Sequence, residues 1–326
     1  MGKENDILCS YLEDNERFAD LFNGSFFGGE QVVRPEDLQE ASEVYSGSLK
    51  DQKGSYQRIR DIKKILKNGM TLNILAIESQ TRVDYSMPWR CLNYDDLEYG
   101  GQISRIKKRN QEHGDYGNAA ERLCRMKKSD RLVPVYTLCL YHGKEPWDGP
   151  RCLKDMMDFG EEKAAWERCF SDYSMNLLCV NEQDDFTCFH TPLKGLFSLL
   201  RYRQDKRGLK KLFKEDMEYQ EMDEETAQVV SSLMGVDKFM NESAKYRKGD
   251  RYNMCEALQE MMEDSRLEGK AEGKAEAILE LLEELGEVSE NTRDKIYAQQ
   301  NPEVLRYWLK LAAKAESVDM FVEKMF

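Results

Sequence analysis

Between Leu72 and Ile77 the apolar positions run almost unbroken and stop at an acid, Glu78, in LNILAIESQTRVDYSMPWRCLNYD. Such a run is the pattern of a central strand covered on both faces. Upstream, DQKGSYQRIRDIKKILKNGMT reads as a second β-type run, joined to the first through Asn68–Gly69, a pair suited to a hairpin. From Asp84 the period lengthens. Trp89, Leu92, Leu97, Ile103 and Ile106 recur at near-helical spacing, with Asp84 or Ser86 placed to cap and Pro88 in the first turn.

Two further strands are expected in RLVPVYTLCLYHG (Arg131 to Gly143) and MNLLCVN. Nearer the start, NERFADLFNGSFFGGEQVV predicts a short helix closed at Gly24, a turn at Gly28–Gly29, and a turn or helix start at Pro35. Strand, helix, strand, strand in this order predicts an α/β core with a mixed sheet and helices packed on it. Beyond Thr191 the pattern is helical nearly to the end. A tandem EGKA repeat there carries Gly269 and Gly273, each costing about 1 kcal/mol relative to alanine, so a kink is expected at that point. Gly286 suits a C-cap, and Ser289, Asn301–Pro302 and Ser317 suit helix starts.

Charge divides the chain. The net charge is −13, but residues 213–326 hold 15 basic and 27 acidic side chains, leaving 33 and 34 in residues 1–212. The expected organisation is therefore a nearly neutral α/β domain over 1–212 and an acidic helical region over 213–326. The first can meet a polyanion; the second would repel one, and can compete with it. No stretch approaches the roughly 20 apolar residues of a membrane span. The opening residues lack the basic start and apolar core of an export signal, and nine cysteines form no C-x-x-C pair. Reduced thiols in the cytoplasm are the expectation. The three histidines are too scattered for structural zinc.

The chemistry sits at the end of the greasy run. If the two β-type runs are adjacent strands, Asp61 and Glu78 converge at one edge of the sheet. Two carboxylates with a backbone carbonyl make a hard oxygen site suited to Mg²⁺, though on spacing alone an Asp and a Glu at strand ends are more often solvated edge residues than metal ligands. Gln80, on the strand face of Glu78, is placed to orient a water. Arg82 and Arg90 flank the junction, and arginine forks two donors onto phosphate oxygens. Two denser basic runs, RIKKRN from Arg105 and RYRQDKRGLKKLFK from Arg201, suit a DNA backbone or a pairing with the acidic tail. His142 ends a strand; a structural hydrogen bond is the plainer reading, a substrate contact the alternative. Trp147 reads as a loop anchor.

FADLFN with GGEQVVRPEDL, RIRDIKKIL, LAIESQTRVDYSMPWRCLNYD, LVPVYTLCLYHGKEPWDGP and EDSRLEGKAEGKAEA occur in one order. Together, over roughly residues 15–275, they resemble the recombination-promoting nuclease/transposase family (Rpn, or YhgA-like), a branch of the PD-(D/E)XK nucleases. The resemblance implies an αβββαβ restriction-endonuclease-like core with a helical C-terminal appendage. It also implies Mg²⁺- or Mn²⁺-dependent hydrolysis of DNA phosphodiester bonds. Carried over, Asp61 and Glu78 bind the metal as catalytic acids, and Gln80 stands where the superfamily has its lysine. Arg82 and Arg90 are the DNA-binding candidates, and Asp20 or Glu16 candidates for a first-helix acid. A carboxamide has no charge, so the alternative is a catalytically inactive DNA-binding or regulatory protein on the same scaffold. The helical C-terminal region is the candidate for self-association.

Overall fold

The computed structural model describes residues 3–41, 61–69, 71–215 and 217–325. Two helices, α1 (Lys3–Leu12) and α2 (Asn15–Phe27), precede a five-stranded mixed sheet. Its strands lie in chain order: β1 (Leu38–Glu40), β2 (Ile62–Asn68), β3 (Thr71–Gln80), β4 (Val135–Tyr141) and β5 (Asn176–Cys179). β1 to β3 pair antiparallel; β3, β4 and β5 pair parallel. The expected hairpin is present, with Asn68 opposite Thr71 and Gly69 at φ 60°, a left-handed conformation that glycine adopts without penalty. Of the upstream run, Asp51 to Arg60 lie outside the described residues.

Parallel strands need a crossover. That from β3 to β4 is α3 (Met87–His113) with the short α4 (Ala119–Cys124); α5 (Lys163–Cys169) lies between β4 and β5. Side chains alternate between the two faces of the sheet. Ile62, Leu66, Leu75, Ile77, Leu138 and Leu140 enter one large apolar cluster with Leu8, Leu12, Phe18 and Phe22 of the first two helices. On the other face Cys139 and Tyr141 join a smaller cluster with Met87, Cys91 and Trp147. Trp147 is the expected loop anchor, its indole N–H donating to the Gly149 carbonyl at 2.9 Å and its ring edge-on to Tyr141.

The rest is helical apart from a two-strand ribbon, β6 (Arg247–Lys248) and β7 (Arg251–Tyr252). In order come α6 (Leu193–Tyr202), α7 (Lys206–Glu215), α8 (Glu224–Met234), α9 (Asp237–Tyr246), α10 (Met254–Glu283), α11 (Glu290–Ala298), α12 (Pro302–Ala312) and α13 (Val318–Lys324). α6 buries Leu193, Leu196, Phe197, Leu199 and Leu200 completely. At about 1.5–3 kcal/mol for each such side chain, this helix is a principal anchor of the large cluster. Ser289, Asn301 and Ser317 cap α11, α12 and α13 as expected. No helix among the described residues is long and apolar enough to cross a membrane.

Three local expectations are corrected. α2 does not close at Gly24 but runs to Phe27, with Gly28 at φ 60° as its cap. At Gly24 a side chain would strike the ring of Phe189, so this glycine serves close packing. α3 exists, but the face it turns inward is not the apolar stripe. Trp89 and Leu97 are each 49% exposed, whereas Asp95, Gln102 and Asn110 are buried. Hydrogen bonds decide this. Asp95 accepts from Thr137 and Tyr173, Gln102 exchanges two bonds with the Val133 backbone, and Asn110 donates to the Arg125 carbonyl and Asp130.

The third correction concerns the EGKA repeat. α10 passes through Gly269 and Gly273 as one helix of 30 residues. The large cluster ends at Met262 and a second begins at Ala271, completed by Ile296, Leu305, Trp308 and Phe321. Packing thus changes over within α10. Both glycines are exposed, and a methyl group added at either meets open space. Gly269→Ala and Gly273→Ala should therefore each stabilise the protein by about 1 kcal/mol. Chemical denaturation checks this; destabilisation by either would mean the helix needs to bend there.

Candidate functional site

β2 and β3 pair with Ile62 opposite Ile77. Continuing that register by one residue sets Asp61 opposite Glu78, at the end of β3 where its parallel neighbour β4 also ends. The Asp61 Oδ2 accepts the Ser79 backbone N–H at 2.7 Å. Burial raises the Asp61 carboxyl above the usual aspartate range; the Ser79 N–H and Arg90 oppose the shift without cancelling it.

Glu78 is only 2% exposed. The first turn of α3 brings a guanidinium to it: Arg90 Nη2 lies 3.4 Å from Glu78 Oε2, and Arg90 Nη1 lies 2.5 Å from Asp84 Oδ2. Asp84 Oδ1 also accepts from the Ser86 N–H and hydroxyl at 2.8 and 2.7 Å. Burial would raise the Asp84 pKa, but these donors outweigh it and hold the carboxyl low. Burial alone would likewise lower the Arg90 pKa; its pairing with Asp84 and neighbours raises it instead. Arg90 is therefore spent on two carboxylates, while Arg82, in the bend after β3, is exposed. Gln80 is half-buried, alternates onto the strand face of Glu78, and accepts the His142 N–H on its backbone carbonyl at 3.0 Å.

The next side chain along β3 turns to the opposite face. The Ser79 hydroxyl donates to Asn5 Oδ1 at 2.8 Å, and Asn5 Nδ2 donates to the Ser79 carbonyl at 2.8 Å. The backbone carbonyl between Glu78 and Gln80 is thereby occupied. His142 Nε2 lies 3.1 Å from Ser79 Oγ and 3.2 Å from Asn5 Oδ1. With the hydroxyl proton committed to Asn5, Nε2 must carry the hydrogen. His142 Nδ1 is buried and has no hydrogen-bond partner among the described residues. Protonating it would place a charge in a dry site beside Arg203, and burial, then Arg203, lower the pKa to about 4. Gly143 closes the turn after His142; a side chain there would collide with the Thr81 carbonyl and the Tyr141 hydroxyl.

α1 supplies what the sequence pattern did not single out. Besides Asn5 it carries Cys9, whose thiol is pushed up to about 12 by burial and then by Asp61, against a hydrogen bond to Ser79, with Asp6 and Glu78 adding to the rise. Asp6 also raises the Asp61 carboxyl. The first-helix acids expected farther along fall elsewhere. Asp20 accepts from the His190 and Thr191 N–H groups and the Thr191 hydroxyl, tying α2 to the segment before α6, and Glu16 is exposed. No sequence signal pointed to α1, which precedes Asp61 by some fifty positions.

Two opposed carboxylates suit Mg²⁺, which is held by one or two acids with water and phosphate completing its shell. Among the described residues no group of three or more His, Cys, Asp or Glu side chains is placed to hold a metal ion. Asp61 and Glu78 are thus the two acids this end of the sheet offers a cation, and Glu78 already faces Arg90.

His142 gives the site a pH signature. Its folded pKa lies below the ordinary 6.5, so the unfolded chain binds the extra proton first and stability falls as pH drops from 6.5 through about 4. The total is on the order of 3 kcal/mol. Urea unfolding of the wild type and of His142→Gln between pH 7 and pH 4 should show a shallower loss in the variant. Equal pH slopes would remove the assignment. No family model matches the sequence, and no curated protein or solved structure matches it.

Proposed function

We propose that this protein is a Mg²⁺-dependent DNA endonuclease of the recombination-promoting nuclease type, acting in the cytoplasm. What carries the reading is the β2–β3 register, which, continued by one residue, sets Asp61 opposite Glu78 at the shared end of β3 and β4. The order of helix, three antiparallel strands, crossover helix and parallel strand agrees with the αβββαβ core that the resemblance implies.

Asp61 and Glu78 would hold the ion. When bound, it lowers the pKa of a water and stabilises charge on the phosphodiester. The residues of the chain do the positioning. Asp61 is fixed by the Ser79 N–H, and Glu78 is held in line by a buried strand on which Gln80 follows on the same face. Gln80 orients water through its amide. Arg82, exposed beyond the strand, meets a phosphate, and Arg90 balances the acids from α3.

One observation favours a second reading. The Arg90 contact with Glu78 supplies internally the cation that a metal would otherwise supply, which suits an inactive DNA-binding scaffold. Nicking of supercoiled plasmid separates the two. On the nuclease reading Mg²⁺ is required, Asp61→Ala and Glu78→Ala each lower the rate at least about 10²-fold, and both remain folded by circular dichroism. Full cutting by both variants would exclude the assignment.

A further inference from the structure

α7 is a basic ledge. Residues 201–214 contain seven basic side chains and one acid, Asp205, in a chain of net charge −13. Arg201 and Arg203 are committed: Arg201 donates to the Gln183 carbonyl and faces Asp184, and Arg203 donates to the His142 carbonyl at 2.7 Å. Lys206, Arg207, Lys210, Lys211 and Lys214 are all exposed, and Lys211 has a partner of its own. At 3.6 residues per turn they fall within an arc of about 140°, and Leu209, Leu212 and Phe213 fill the opposite side. Leu209 and Phe213 are 1% and 5% exposed, so the apolar face is already packed into the protein.

That packing decides the kind of partner. A helix that inserts in a membrane surface needs its apolar face free, and this one is used. What remains is a row of cations without inserted hydrophobes, the chemistry that meets a phosphate backbone. Lys206, Arg207 and Lys214 form no ion pair with any described residue, and Lys210 acts on Glu263 of α10 only as a secondary influence behind Arg266. The other basic run is different. Arg105 faces Glu98 and Arg109 faces Asp130, so two of its cations are answered internally.

Position adds the second observation. Arg203 bonds the carbonyl of His142, and the His142 N–H bonds the carbonyl of Gln80. Lys206 follows Arg203 by three residues, which span at most about 11 Å. From Lys206 to Lys214 the helix extends the cations about 12 Å farther, the axial length of three to four base pairs at 3.4 Å each.

We propose that the exposed face of α7 binds the backbone of duplex DNA and carries it toward the Asp61–Glu78 end of the sheet. The proposal rests on the nuclease reading for its substrate and not for its binding chemistry. The test is metal-free: fluorescence anisotropy of a 20-bp duplex in EDTA, titrated across salt concentrations. A variant combining Lys206→Gln, Arg207→Gln, Lys210→Gln and Lys214→Gln should lose about 3.6 from the slope of log K against log salt, at 0.9 per phosphate contact. A charge-retaining set, with Lys→Arg and Arg→Lys at the same positions, should keep the wild-type slope, which excludes a folding defect. An unchanged slope in the glutamine variant would overturn the proposal. Binding to phosphatidylserine vesicles but not to duplex would overturn it as well. The two readings fail separately: slope loss without any Mg²⁺-dependent nicking supports the ledge and refutes the nuclease, and nicking with an unchanged slope does the reverse.

Discussion

A carboxylate that is 2% exposed at the end of a central strand needs a cation nearby, and Arg90 meets Glu78 from the first turn of α3. Leaving such a charge uncompensated costs several kcal/mol. This requirement fixes where the crossover helix begins. From there α3 lies along the sheet through a polar seam, Asp95 on Thr137, Gln102 on Val133 and Asn110 on the 125–130 turn. The small apolar cluster around Met87, Cys91 and Cys139 fills the space beneath its first turns. Helix, seam and cluster are consistent with one another only if Glu78 points to that face.

The alternation of a strand then dictates the other face. With Glu78 directed to α3, Ser79 is directed to α1, where Asn5 and His142 close a hydrogen-bonded network on its hydroxyl and carbonyl. Arg203 reaches the same strand ends from the C-terminus of α6. Consecutive residues of one strand thus bind both helical layers to a single point. A one-residue slip of β3 would bury Ser79 against Arg90 and drive Glu78 into the large apolar cluster, which is why the register is so strongly specified here.

Much of this was legible in sequence. The hairpin at Asn68–Gly69, the strand ending in Glu78, the helix start near Ser86 and the caps at Ser289, Asn301 and Ser317 all rest on local chemistry, and local chemistry is what a sequence displays. The inward face of α3 was not legible, because Asp95, Gln102 and Asn110 look solvent-facing until their partners, 15 to 42 positions away or farther, are in place. The contribution of α1 was hidden for the same reason: Asn5 meets Ser79 across 74 positions. The EGKA repeat misled in a different way. A glycine lowers the intrinsic stability of a helix without setting its path, and packed clusters at both ends of α10 hold it as one continuous helix.

The arginine at the site is held unequally. Its contact with Asp84 is 2.5 Å and that with Glu78 is 3.4 Å, while Asp84 is itself fixed by Ser86. Hydrogen bonds between ions weaken with length, so the direct bond to Glu78 is the weaker of the two, although Glu78 is the more buried acid. An arginine locked on Glu78 would have the opposite distances. The inequality makes Arg90 a balancing charge held in place by Asp84 and shared with Glu78.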